Sequence, residues 1–138
     1  MRRRFVLFAL CALAGSLALR AGPVAADASS DPIGRAYAKQ LSNVQVESSG
    51  VVAKVLKDDN DGTRHQRIIV RLASGQTILI AHNIDLAPRI EGVREGASIS
   101  FFGEYEWNNK GGVVHWTHRD PSGRHRAGWI RYGGRTYQ

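Results

Sequence analysis

Five histidines carry most of the chemistry this chain could perform: His65, His82, His115, His118 and His125. Three fall in one run, His115-Trp116-Thr117-His118-Arg119-Asp120-Pro121-Ser122-Gly123-Arg124-His125, which also offers Asp120 and Arg124. The other two stand in Arg64-His65-Gln66 and Ala81-His82-Asn83-Ile84-Asp85. Imidazole suits Zn, Cu, Ni and Fe. Three His, or two His and a carboxylate, could hold a divalent transition metal with a position open for water. The candidates are His115, His118 and His125. Spacing resists the simplest version. On a regular strand His115 and His118 point to opposite faces, because their separation is odd. They can share an ion only if the strand ends or bulges near Thr117. His118 and His125 flank the Asp-Pro turn and converge more easily. The plain alternative is that each ring caps a turn and bonds a backbone carbonyl.

Two imidazoles beside an arginine could instead move protons and stabilise a developing anion, as phosphodiester hydrolysis requires. His115, His118 and His65 are the candidate catalytic groups, with Glu104 as a carboxylate partner. His115-Trp116-Thr117 is half of a paired His-x-Thr pattern used by one class of phosphoesterases, and the chain has no second copy. The third use is binding without catalysis. His82, Asp85, Trp116, Asp120 and Arg124 are the candidate contacts, with aromatic rings as stacking platforms. Tyr105 and Trp107 alternate with glutamates and are assigned to the core. Lys57-Asp58-Asp59-Asn60-Asp61-Gly62 resembles a calcium loop, but the EF-hand pattern wants an acid where Lys57 stands. An acidic turn is the reading kept. Glu104 and Glu106 share a strand face. Pairing Trp107 with Val113 puts His115 opposite Tyr105, whereas a one-residue slip puts it opposite Glu104. Sequence leaves both registers open.

The elements that must position these groups are mostly strands. Asp31-Pro32 reads as an N-cap followed by proline at the first helical position. Ile33, Ala36, Tyr37 and Leu41 recur at helical spacing, which predicts a short amphipathic helix over 32–42. Strands follow over 44–56, 64–73, 76–83, 98–107 and 113–118, with a bulge or bend at Ser48-Ser49-Gly50. Residues 85–96 read as a loop, Asn108-Asn109-Lys110-Gly111-Gly112 as a hairpin turn, and 129–137 as a terminal hairpin. Such a count predicts a mainly β fold: a small antiparallel five-stranded OB-like barrel with a short N-terminal helix and a C-terminal hairpin.

The first 26 residues read as a secretory signal peptide. Arg2, Arg3 and Arg4 precede an apolar run from Phe5 to Leu19, and Val24-Ala25-Ala26 supplies small residues for cleavage. The run is shorter than the roughly 20 apolar residues of a membrane span. Cys11 follows Leu10, which is not the small residue a lipid-attachment site wants. Periplasmic or secreted residence is the expectation, with no membrane contact after cleavage. The domain plan is 1–26 signal, 27–43 helical segment and 44–138 a single β-rich domain. Removing the leader takes four Arg and the single Cys, and leaves a charge of +3. No cysteine then remains for a disulfide, a zinc–thiolate site or a nucleophile. Residues 27–109 carry a net −2 and residues 110–138 a net +5. Only the C-terminal quarter could attract an anionic polymer.

Several stretches are distinctive together. They are Asp58-Asp59-Asn60, Arg64-His65-Gln66-Arg67, Gly75-Gln76-Thr77, Ala81 to Ile90, Gly103-Glu104-Tyr105-Glu106-Trp107 and Gly111 to His118. Over about residues 44–138 the chain resembles a family of small exported bacterial proteins, a domain of unknown function numbered 3465 in its series. The resemblance implies bacterial export and supplies no activity. It also implies that the motifs around His65, His82 and His115 to His118 belong to the family's signature, which favours one shared polar site over five unrelated surface rings. On these grounds a small ligand-binding module with a His-rich site leads. A His-based or metal-dependent hydrolase comes second, and a structural role at the envelope third.

Overall fold

The computed structural model describes residues 31–138. The proposed leader and Cys11 lie outside the described residues. Helix α1 runs Pro32–Ala38, with the Asp31 side chain accepting the Gly34 N–H at 2.9 Å. It stops short of the predicted end at 42. Gln40 takes a left-handed conformation, and the Leu41 and Gln40 amides donate back to the Ala36 and Tyr37 carbonyls. This is the Schellman termination, here built without glycine. Ile33 and Ala36 pack into the core, while Leu41, expected on the same face, is exposed beyond the helix end.

The strands are β1 (Val44–Val55), β2 (His65–Leu72), β3 (Thr77–Asn83), β4 (Ser98–Glu106), β5 (Val113–His115), β6 (Trp129–Tyr132) and β7 (Arg135–Tyr137). β1 pairs with β2 and also with β4, which closes the order β1-β2-β3-β5-β4-β1 into a five-stranded barrel. The OB-like expectation holds with one correction. β3 and β5 run parallel, so the barrel is mixed rather than antiparallel. A parallel pair needs a long crossover, and the chain supplies one by passing through the loop 84–97 and all of β4 before β5 begins.

β1 serves two partners because it bends. Gly50 pairs with both Leu72 and Ile99 at the point where the strand passes from one neighbour to the other. A Cβ there would collide with the Arg71 carbonyl and the Val70 side chain, so only glycine permits the approach. The bulge itself lies three residues further on, between Val52 and Lys54.

Period-two alternation fills the interior. Ile68 and Val70 of β2, Ile78 and Ile80 of β3, Ile99, Phe101 and Tyr105 of β4, and Val114 of β5 are all buried in one cluster. β5 is only three residues long. That leaves the middle of the same β4 edge free for β6, which pairs Ser100 with Arg131 and carries the β6–β7 hairpin.

Among the buried polar side chains, Gln66 and His82 hold the loop 84–97. Gln66 donates to the Ile90 carbonyl and accepts the Ile90 N–H, each at 2.9 Å. His82 sits opposite Gln66 in the β2–β3 register and donates from Nε2 to the Pro88 carbonyl at 3.0 Å. Buried amide and imidazole groups are tolerable only with such partners.

Candidate functional site

The outer face of β2, β3 and β5 and the chain just after β5 form a pocket of about 170 Å³. Its walls are His65, Ala81, Asn83, Leu86, His115, Trp116 and His118. His65 lies directly opposite Asn83 in the β2–β3 register. The parallel pairing of Ile80 with Val114 carries His115 to the neighbouring strand position beside Ala81.

His115 and His118 meet here because the strand ends between them. β5 stops at His115, and Trp116 adopts φ +54°. That conformation is strained for a bulky side chain and marks a residue whose surroundings dictate it. Those surroundings are visible. The indole stacks on the His125 ring at 3.9 Å and tilts against His118 at 5.3 Å. Behind it Gly128 lies so close that a Cβ would collide with the Trp116 and Phe102 carbonyls, and its N–H donates to the His118 carbonyl at 2.9 Å.

Asp120 organises the loop that returns His125 to this place. Its carboxylate accepts the N–H groups of Ser122, Arg124 and His125 and the Ser122 hydroxyl. The Ser122 hydroxyl and the His125 and Ser122 amides hold the Asp120 carboxyl well below the usual carboxylate range. Arg124 in turn donates to the Ser122 Oγ.

A second constellation adjoins the pocket and shares His115. The hairpin register is Glu106 with Val113 and Glu104 with His115, so the one-residue slip is the register adopted. His115 Nε2 approaches Glu104 Oε1 at 3.8 Å and Glu106 Oε1 at 3.5 Å. His125 Nε2 donates to Glu104 Oε2 at 2.5 Å, and its Nδ1 donates to the Arg126 carbonyl. Both nitrogens of His125 thus face acceptors, which requires the imidazolium. Burial works against that charge, but the Glu104 and Arg126 hydrogen bonds outweigh it and raise the His125 pKa. Burial also works to raise Glu104, yet hydrogen bonds with His125 and Glu106 and the neighbouring imidazoles bring it below its ordinary value. Gln45 adds a donor to Glu104 Oε2 at 3.2 Å.

The five histidines therefore part company. His65, His115 and His118 line the pocket, and His125 adjoins it through Trp116 and Glu104. His82 does not join them. It is fully buried, with Nε2 donating to Pro88 and Nδ1 accepting from Thr117 Oγ1 at 2.9 Å. Desolvation dominates its titration and lowers its pKa to about 4, so the ring is neutral and structural. Asp85 is turned to Arg64, accepting its backbone N–H and its Nε at 2.7 Å each. Those bonds lower its pKa and tie β2 to the chain after β3. Asp120 and Arg124 shape a turn. Of the candidate binding contacts only Trp116 lines the pocket.

The anticipated metal set changes as well. Among the described residues, the one group whose ligand atoms all lie within 4.8 Å of one another is Glu104, Glu106 and His115. His118 and His125 lie outside it, and a cluster of three imidazoles does not form. Glu106 and the neighbouring Asn43 were missing from the expected site. The shared face of Glu104 and Glu106 was the available signal.

The C-terminal basic residues cover aromatic rings. Arg126 lies over Phe102 at 4.8 Å, Arg131 over Trp129 at 4.0 Å and Arg135 over Tyr137 at 5.6 Å, and Phe102 stacks with Trp129. Tyr105 is a core residue as expected, and Trp107 packs partly buried against that core and against Tyr37.

Fold and site together define a small closed β-barrel with a histidine-lined pocket on the outer face of its parallel strand pair. The chain belongs to the family described as "Protein of unknown function (DUF3465)", whose model matches residues 14–138. The match covers α1 as well as the barrel, so the family extends upstream of the 44–138 core of the resemblance. No curated protein matches the chain.

Proposed function

We propose that this chain is an exported binding module that takes one ring-sized polar group in the pocket of His65, His115, Trp116 and His118. The pocket of about 170 Å³ carries the reading. An engineered cavity of about 150 Å³ accepts a benzene molecule, so the volume suits a single ring. The lining is mostly apolar, and two of its imidazoles offer acceptors to a ring that bears a donor. His65 Nδ1 donates to the Thr63 carbonyl and His118 Nδ1 to the Arg119 carbonyl, at 2.8 and 2.7 Å. In the neutral rings this leaves each Nε2 as an acceptor. Trp116 and Leu86 supply apolar contact. Export rests on the three-arginine start, the apolar run and the small residues before Asp27.

The test is an NMR titration of the 15N-labelled protein with phenol and with toluene. Phenol should shift the amide signals of Ala81, Asn83, His115 and Trp116 at millimolar concentration, and toluene should do so more weakly. Unmoved signals with both would refute the reading.

The charged Glu104–His125 pair beside His115 favours a second reading, a His-based or metal-dependent hydrolase. Turnover of bis(p-nitrophenyl) phosphate by wild type, absent from His115→Gln, would select it over simple binding.

A further inference from the structure

Beside the pocket lies a cluster of two carboxylates and an imidazole. Glu104 and Glu106 project from the same face of β4, two residues apart, and His115 lies across from Glu104 on β5. The His115 Nε2 is shielded from solvent and has no hydrogen-bond partner, although both carboxylates are near it. Orphaned buried nitrogens of this kind are rare and ask for an explanation. Among the described residues the buried side-chain atoms without a partner are Gln45 Oε1, Trp107 Nε1 and His115 Nε2. Of these, His115 Nε2 belongs to the cluster, and Gln45 bonds Glu104 through its Nε2.

Asn43 completes the set. Its exposed amide, held on a left-handed residue just before β1, comes within 3.2 Å of Glu104 Oε1 and 3.1 Å of Glu106 Oε1. With its NH₂ turned inward it donates to both carboxylates. With its carbonyl turned inward it becomes a third oxygen ligand, and the two orientations differ only by a flip of the amide.

We infer that Glu104, Glu106, His115 and Asn43 form a binding site for one divalent transition-metal ion, of the zinc or manganese type. The separations fit. Ligands about 2.1 Å from a tetrahedral ion lie about 3.4 Å from one another. The four measured separations here run from 3.1 to 3.8 Å. The donor types fit also: one imidazole nitrogen with carboxylate and amide oxygens is a mixed set suited to such ions. Charge favours entry. Two carboxylates converge on one point beside an imidazole nitrogen. His125 and Gln45 bond Glu104 through Oε2 and so orient Oε1 toward the ion. Partners of that kind fix and tune ligand carboxylates.

This site adjoins the proposed ring-binding pocket and shares His115 with it, but it stands or falls by different measurements. The full chain, purified without a histidine tag and stripped with chelator, is titrated with zinc chloride by calorimetry at pH 7. One zinc should bind per chain at micromolar concentration or tighter. Glu106→Gln and His115→Gln should each weaken binding at least tenfold. Asp61→Asn, in the acidic turn between β1 and β2, should leave it unchanged. Substoichiometric manganese gives a readout that needs no variant to fold. It should broaden the amide signals of Asn43, Glu104, Glu106 and His115 before any others. An absence of zinc heat, equal affinity in both ligand variants, or broadening centred elsewhere would overturn the site.

Discussion

Lowering the pH from 7 to 5 should destabilise the fold by about 2 kcal/mol through His82 alone. The ring is fully buried, and desolvation lowers its pKa from 6.5 to about 4. An unfolded chain therefore takes up a proton near pH 6.5, and the folded chain takes one up only near pH 4. The stability carried by the neutral ring is present above the unfolded value and drains away as pH falls through that window. Each pH unit in which only the unfolded ring is charged is worth about 1.4 kcal/mol. At pH 7 a minority of unfolded rings are charged, so the loss on reaching pH 5 sums to about 2 kcal/mol. In a unit of this size that lowers the melting temperature by roughly 10 °C. Asp85, Glu104 and Asp120 do not confuse the window. Their pKa values are lowered from 3.8, 4.5 and 3.8, so their contributions are lost only at lower pH. His125 runs the other way: its raised pKa stabilises below 6.5 and loses effect as pH rises through the folded value. Urea denaturation followed by circular dichroism at pH 7, 6 and 5 measures the slope. His82→Gln should be less stable at pH 7 and should lose less on going to pH 5. A 15N titration of the wild-type ring checks the same point without a variant. An equal change between pH 7 and 5 in wild type and His82→Gln, or a folded His82 that titrates near 6.5, would refute the reasoning.

Gly128→Ala should cost about 3 kcal/mol in urea denaturation, because the added methyl meets the Trp116 and Phe102 carbonyls. Its near-ultraviolet circular dichroism should change as the indole shifts, and a loss under about 1 kcal/mol would mean that the loop simply moves aside. Asp120→Asn should speed hydrogen exchange at the His125 and Arg124 amides, which the carboxylate now accepts. It should also remove the part of the acid sensitivity that appears as pH falls below the ordinary value of 3.8. Tyr105→Phe removes the hydroxyl that donates to the Gly111 carbonyl at 3.0 Å. That carbonyl keeps Gln76 Nε2 as a donor, so the loss should be about 1 kcal/mol, and a loss of several would point to a wider disturbance of the hairpin.

The barrel was legible because its information is local. Gln66, Ile68, Val70 and Leu72 were placed on one face by alternation alone, and all four are buried on β2. Strand ends fall within one residue of expectation for β2, β3 and β4. The prediction for β5 overran by three residues, since Val113 to His118 reads as one continuous strand while Trp116 turns left-handed. No propensity marks a tryptophan for that conformation. It follows from the stack on His125 and the backbone of Gly128, both set by residues further along the chain. The parallel pair was missed for a related reason. Strand pattern reports burial, whereas the neighbour of β5 is decided by how the barrel closes.

The site was half legible, and the division has a physical cause. Histidine type and strand-end position brought attention to all five rings, but neither tells an imidazole that binds from one that braces. His82 and His115 both stand within strands beside polar neighbours. What separates them is facing. His82 follows Ile78 and Ile80 in the inward phase of β3 and spends both nitrogens on Pro88 and Thr117. His115 follows the inward Val114 and so points out, toward two carboxylates. The phase of β3 was obscured because both faces of that segment are apolar near its middle, which hid the inward direction of His82. The facing of His115 depended on a one-residue register choice that turn composition could not make. Asn108 makes it, by accepting the Lys110 and Gly112 amides and holding the turn so that Glu106 meets Val113. That single register joins Glu104, Glu106 and His115. Shifting it by one residue would set His115 against the inward Tyr105, turn Val114 out of the core and dissolve the proposed metal site.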